Sequence, residues 1–256
     1  MNGQRGSLEL PSAHGSHVRE RGREVRHRSS PAGCHGRGIA QERAVAAQKA
    51  GLFKDEIVPV KTKVKDAKGN LLEITVSADE GPRADTSMKS LGALKPAFKV
   101  GGSTTAGNSS QVSGGASLVL LARRSVATKM GLPIIGRMRS FAVVGVDPSY
   151  MGIGPAFAIP AALEKAGLSV KDVGIFKINE AFASQASMTV DHLKLSMDKV
   201  NPKGGAIALG HPLGCTGSRK IATLMPELKR TGQKLGVVSM CIGTGMGAAG
   251  VFESEQ

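Results

Sequence analysis

Three residues of this 256-residue chain have types and surroundings that could do chemistry: His211, Cys241 and Asn179. His211 stands in Leu209-Gly210-His211-Pro212-Leu213-Gly214, a stretch with little bulk. A histidine so flanked can approach another backbone closely, and it titrates near neutral pH, as a general base must. Cys241 leads into Gly243, Gly245 and Gly247. Those glycines leave backbone N–H groups free to face an anion or a developing oxyanion. Asn179, in Asn179-Glu180-Ala181-Phe182, offers an uncharged hydrogen-bonding side chain. Each has an ordinary explanation when taken alone. A lone buried histidine is more often a core residue with its bonds satisfied, a lone buried cysteine is usually inert packing, and a glycine-rich loop can be only a tight turn. Their placement argues for more, because each segment follows a run that reads as a strand, and α/β folds carry their chemistry at strand ends.

The elements that must position these residues follow from periodicity and punctuation. Residues 139–146, 175–178, 206–209, 235–240 and 248–252 read as strands. Residues 155–166, about 181–193 and 217–230 read as helices, the first stopped by Gly167 and the last near Gly232. Strands alternating with helices imply a layered α/β sheet, and the short glycine-rich link after Cys241 makes the last two strands antiparallel neighbours. Upstream, residues 41–51 form an alanine-rich helix ending at a glycine. Residues 57–64 and 71–76 form a hairpin through Lys68-Gly69-Asn70. Residues 77–103 are a long loop or small subdomain, and residues 117–123 are either a strand or the start of a buried helix. Residues 125–131 are a short helix ended by glycine.

Composition fits that outline. The chain is 41% hydrophobic, with 34 glycines and only 3% aromatic residues, as suits an α/β protein with tight helix–sheet contacts. Its formal charge of +14 is spread along the whole length. No basic block is interleaved with aromatics, and there is one tyrosine and no tryptophan, so nucleic acid is not the expected partner. The charge is either a solvated basic surface or an attraction for a polyphosphorylated small molecule. Three cysteines, Cys34, Cys215 and Cys241, do not make a disulfide framework and point to a reducing compartment. No apolar run approaches the roughly 20 residues that span a bilayer, so no membrane partner is expected. No metal site is expected either. Residues 1–40 differ from the rest, with seven arginines, no lysine and four of the six histidines. They show no periodicity and read as a disordered, atypical leader, with Glu9, Glu20 and Glu24 arguing against a transit peptide.

The wording of the segments resembles a known family. Asn179-Glu180-Ala181-Phe182-Ala183, the run from Asn201-Pro202 to Gly210-His211-Pro212-Leu213-Gly214, and Cys241-Ile242-Gly243-Thr244-Gly245-Met246-Gly247 look like the three C-terminal signatures of thiolases. Thr104-Thr105-Ala106-Gly107-Asn108-Ser109-Ser110 resembles the family's coenzyme A loop, and Met151-Gly152-Ile153-Gly154-Pro155 another typical stretch. The likeness runs from about Gln41 to Phe252 and is greatest to peroxisomal-type 3-ketoacyl-CoA thiolases. It implies an acyltransferase that cleaves 3-ketoacyl-CoA thiolytically, with coenzyme A as co-substrate and no tightly bound cofactor. It also implies a homodimer and a peroxisomal location, with mitochondrion or cytoplasm as alternatives. The C-terminal Glu253-Ser254-Glu255-Gln256 is not the Ser-Lys-Leu peroxisomal address. By the resemblance, His211 activates a nucleophilic cysteine and helps bind a thioester oxygen, and Asn179 holds a water in that first oxyanion hole. Cys241 shuttles a proton, the Gly243 N–H forms half of a second oxyanion hole, and Ser110 contacts coenzyme A. Ketoacyl synthases share the fold but typically carry a histidine or an asparagine where Cys241 stands.

The chain departs from the family in three places, one of them the first part of the substrate-covering loop region, which is missing. Nothing before Gln41 resembles the motif of the nucleophilic cysteine, and Cys34 has neither a strand before it nor a helix after it. Gly114 stands where an aspartate is expected. The expected fold is thiolase-like and layered. Residues 131–256 form a complete C-terminal half around a five-stranded sheet, residues 41–106 a remnant of the loop domain, and residues 107–130 a remnant of the N-terminal half. Two functions are open: the acyltransferase of the family, or a fragment without a nucleophile that binds coenzyme A or an intact subunit.

Overall fold

The structure is a computed structural model, and it describes residues 38–256. The leader reading of residues 1–37, and Cys34 with it, lie outside the described residues. Helix α1 (Ile39–Lys49) opens just before the boundary drawn from composition. Its Ala40, Ala44 and Ala47 fall on one face and are buried against Ile207, Ala208 and Leu209. The hairpin follows as β1 (Val60–Lys65) and β2 (Leu71–Val76), antiparallel with Val60 opposite Val76. After it come two short helices, α2 (Met88–Gly92) and α3 (Arg124–Lys129).

The rest is one layered unit. Its elements are β3 (Gly136–Gly145), α4 (Gly154–Lys165), β4 (Ile175–Ile178), α5 (Ala183–Leu193), α6 (Ala206–Leu209), α7 (Thr216–Thr231), β5 (Leu235–Ile242) and β6 (Met246–Ser254). The strand order is β3-β6-β5-β4, with β4 parallel to β5 and the other pairs antiparallel. Phe176, Ile178, Val237 and Val251 face α4 and α5, and Ile175, Val238 and Phe252 face Leu224, Met225 and Leu228 of α7. The central strands are covered on both sides, which is why they read as continuous apolar runs rather than alternating ones.

Two expectations are corrected. The sheet has four strands, not five, because residues 206–209 form a short helix. The Leu209 N–H reaches the Gly205 carbonyl and the Gly210 N–H that of Ala206, so the bonds are local. The place beside β4 is taken by a single parallel bridge from Val200 to Phe176, with the Asn201 N–H on the Phe176 carbonyl at 2.9 Å. Four apolar residues between glycines do not distinguish a buried strand from a buried helical turn. Residues 117–123 are neither a strand nor a buried helix but irregular chain, with Leu118 89% exposed and Leu120 and Leu121 also exposed.

That segment belongs to a wider apolar exposure. α7 covers β4, β5 and β6, but at the edge strand β3 the side chains of Met138, Phe141 and Val143 are open. A soluble monomer tolerates exposed apolar patches of only about 300–600 Å². The chain purified alone is therefore expected to self-associate and to bind a hydrophobic dye. Leu118→Ser, Leu120→Ser and Leu121→Ser together should reduce both, measured by size-exclusion chromatography and dye fluorescence. A monodisperse, dye-silent wild-type chain would refute this account.

Candidate active site

The site is assembled at one end of the sheet. Asn179 follows β4 directly, and its N–H donates to the Ser239 carbonyl at 2.9 Å, continuing the β4–β5 ladder one residue further. Gly210, at φ 83°, turns the chain out of α6 into His211. The His211 N–H donates to the Gln111 carbonyl at 2.8 Å, and Val112 bridges His211 in parallel. The Ser110 N–H donates to the Ala181 carbonyl at 2.9 Å, and Ser109 bridges Phe182. Residues 109–112 thus stitch the Asn179 segment to the His211 segment, which delays the start of α5 to Ala183. Ser110 lies in this stitch, half-buried.

The His211 ring has two partners. Its Nε2 lies 3.2 Å from Asn179 Nδ2 and its Nδ1 lies 2.7 Å from Thr216 Oγ1. An amide nitrogen only donates, so Nε2 is the acceptor and the ring proton sits on Nδ1, donated to the buried Thr216 hydroxyl. Burial lowers the His211 pKa, and the nearby Lys220 ammonium lowers it further. His211 is therefore neutral at physiological pH with Nε2 basic. Asn179 is 1% exposed, and its Oδ1 accepts no hydrogen bond from the described residues.

Cys241 lies within β5, opposite Gly247 of β6, and not in the loop beyond the strand. Burial raises its thiol pKa, against which the Gln185 amide and Lys220 pull it down. Gln185 Nε2 donates to the sulfur at 2.8 Å. Histidine pushed down and cysteine pushed up are both neutral at rest, one a ready base and the other a ready acid. Gly243 is exposed in the three-residue turn closed by Gly245, at φ 91°. The structure thus joins Asn179 to His211 directly. Cys241 is bonded instead to Gln185, and Lys220 acts electrostatically on both His211 and Cys241. Gln185, Thr216 and Lys220 were missed by sequence reasoning. Thr216, five residues after the histidine, and Gln185, six after the asparagine, open the helices that follow the motifs, and only that position hinted at them.

Beneath this layer, between β4 and α7, lies buried charge. Lys220 Nζ reaches the Ser239 carbonyl at 3.4 Å, and Lys177 Nζ reaches that of Gly204 at 3.3 Å. Lys203 pairs with Glu56 at 3.0 Å and lies over the Phe53 ring at 4.9 Å. Glu180 accepts from Asn201 Nδ2 at 2.6 Å. A Cβ on Gly205 would sit 2.2 Å from that carboxylate, so only glycine fits there. Burial drives the Lys177 pKa down to about 7, helped by Arg219 and Lys203 and opposed by Glu180 and Glu56.

Two family models match the chain: residues 39–125 match the thiolase N-terminal domain and residues 132–254 the thiolase C-terminal domain. The chain belongs to the thiolase family. Among curated proteins, it is 66% identical over 215 residues to 3-ketoacyl-CoA thiolase B, peroxisomal, of Rattus norvegicus, covering 84% of this chain and 51% of that one. Among solved structures, it resembles the dimeric peroxisomal thiolase of Saccharomyces cerevisiae, with 49% identity and a TM-score of 0.77 over 88% of this chain and 56% of that one. It likewise resembles human mitochondrial 3-ketoacyl-CoA thiolase in complex with CoA, with 41% identity and a TM-score of 0.78 over 90% and 56%. The chain spans about half the length of the curated relatives it matches. The expected layered α/β thiolase fold is borne out.

Lys177 supplies a pH test. Its folded pKa is about 7 against an ordinary 10.5, so between those values the unfolded chain binds more protons than the folded one. Stability should therefore rise as pH rises through that window. Lys177→Met should raise the melting temperature at pH 7 and flatten the rise, as followed by circular dichroism. An unchanged pH slope would contradict the assignment. Gly205→Ala should destabilise by about 1–3 kcal/mol, since the methyl must displace a bonded carboxylate.

Proposed function

We propose that this chain carries the base, oxyanion and second-cysteine parts of a 3-ketoacyl-CoA thiolase site, with coenzyme A as co-substrate and no tightly bound cofactor. The observation that supports the reading is the His211 ring, whose Nδ1 is held by Thr216 so that Nε2 faces Asn179 as an acceptor. The acyl-accepting cysteine comes from outside residues 38–256. In this division, residues 131–256 are the C-terminal half, residues 41–106 belong to the loop domain and residues 107–130 to the N-terminal half. The peroxisome is the proposed location, by analogy with the relatives that the chain matches at 66% identity.

His211 takes the proton of the nucleophilic cysteine as its sulfur attacks the 3-keto carbon. Cleavage of the bond between the α-carbon and that carbon sends the electron pair to the departing acetyl-CoA. Cys241, held protonated by burial, gives that carbon its proton. The coenzyme A thiol then gives its proton to the Cys241 thiolate and attacks the acyl-cysteine, releasing the shortened acyl-CoA and the nucleophilic cysteine as a thiolate, which takes its proton back from His211. The Gly243 N–H and the His211–Asn179 pair stabilise the oxyanions, and Ser110, in the stitch between the two segments, contacts coenzyme A.

A second reading is supported by the half-length match: a partner chain that binds coenzyme A or pairs with an intact thiolase subunit, and is inactive alone. The two share a test. The chain alone, assayed for 3-ketoacyl-CoA thiolysis, should run several orders of magnitude below a complete thiolase. Turnover with an acyl group trapped on Cys241 or Cys34 by mass spectrometry would overturn the assignment of the nucleophile. Activity that appears only on mixing with a separately expressed half bearing the nucleophile, and is lost with His211→Ala, would support the first reading. Enhanced coenzyme A binding without turnover in that mixture would support the second.

A further inference from the structure

Gln185 is the side chain that touches the Cys241 sulfur, and its setting has no evident purpose in packing. It lies in the first turn of α5 and reaches across to the end of β5, where Nε2 donates to Sγ at 2.8 Å. Its Oε1 is buried and accepts no hydrogen bond from the described residues. A glutamine kept only for structure would turn that acceptor to a donor, since a buried unpaired carbonyl is costly. The side chain is also wedged. A Cβ on Gly152 would lie 2.9 Å from Nε2, 3.0 Å from Cγ and 3.1 Å from Cδ, so the Gln185 chain lies flat on the Gly152 backbone. Two residues on, Gly154 packs equally closely on Gly247, the residue opposite Cys241 in the β5–β6 ladder. One turn, residues 148–154, thus backs the cysteine on two sides: through Gln185 and through Gly247.

We infer that Gln185, wedged against Gly152, is a positioning residue for Cys241, its amide N–H fixing the sulfur and steadying the thiolate between two proton transfers. The inference rests on reading Cys241 as the proton shuttle, and it explains what the Met151-Gly152-Ile153-Gly154-Pro155 stretch does. An amide N–H donated to sulfur favours the anionic form, as hydrogen bonds to charged groups generally do. Without it, the Cys241 thiolate left by the first transfer would be less stabilised until the coenzyme A thiol returns a proton to it.

The test needs no acyl-CoA. Iodoacetamide labelling of the full chain is followed across pH by peptide-resolved mass spectrometry, with Cys215 as internal control. Gln185→Leu is expected to slow Cys241 labelling at pH 8 by about tenfold and to move its midpoint upward, leaving Cys215 unchanged. Gln185→Glu should slow it further. Gly152→Ala, which touches neither residue's chemistry, should slow it in the same direction by dislodging Gln185, and it keeps the test open where the leucine variant fails to fold. Faster labelling in Gln185→Leu would mean that the amide accepts the S–H, and would overturn the inference, as would unchanged labelling in both folded variants. Because labelling is independent of thiolysis, the inference can fail while the thiolase reading stands, and a failure of that reading shows in the thiolysis assay and not in the labelling.

Discussion

The Ser239 carbonyl is the point on which the site turns. It accepts the Asn179 N–H at 2.9 Å and the Lys220 ammonium at 3.4 Å, while the Ser239 hydroxyl donates to the Ala248 carbonyl at 2.8 Å. Two strands, one helix and the next strand across therefore meet within one residue, two positions before Cys241. β4 is only four residues long, so its end is defined less by its own length than by this continuation of the parallel ladder. If the carbonyl moved, Asn179 would lose its backbone anchor, His211 would lose its neighbour, and Cys241 would shift along its own strand.

Tight packing around that point has a cost, met by small residues and by charge. Glycine at 205 lets the Glu180 carboxylate sit against the backbone, and Glu180 in turn accepts from Asn201. The lysines on the inner side of α7 and β4 are under-bonded compared with Lys203, which has both a carboxylate and an aromatic face. Isolated buried ammoniums shed their protons rather than remain charged. The field that this layer exerts on His211 and Cys241 therefore depends on how many of those lysines are protonated.

Much of this could be read from the sequence, for physical reasons. Residues 175–178 and the helix before Gly167 declare themselves because both faces of the sheet are buried and a glycine in the left-handed region, at φ 68°, ends the helix. His211, Cys241 and Asn179 stand out because glycine and strand ends frame them. The short helix at 206–209 was misread because four apolar residues carry no period. Gln185 and Thr216 are marked only by their place at the start of the helices after the motifs, and Lys220 by nothing, since a glutamine, a threonine or a lysine near a helix start is ordinary on any solvated surface. What makes them functional is a distance to sulfur, to a ring nitrogen or to a carbonyl, which only the fold supplies.

The same fold explains why these groups lie near one sheet end in a chain that spans about half the length of the relatives it matches. Asn179 follows β4, Cys241 lies in β5 and His211 follows the short helix α6, and the segment that joins the first and the last of these, residues 109–112, lies within the same chain. Nothing in their mutual arrangement requires a further element. Open apolar surface lies along β3, at Met138, Phe141 and Val143, along residues 117–123, and beside the site itself, at Val112 and Leu213. Apolar area of that kind is stabilised only by burial, at about 25 cal/mol per Å². The free energy that would recruit another polypeptide segment is therefore available along β3 and also beside His211, where Val112 and Leu213 are open. A segment seated on those side chains would bury groups that take no part in proton transfer while also closing over the His211 base.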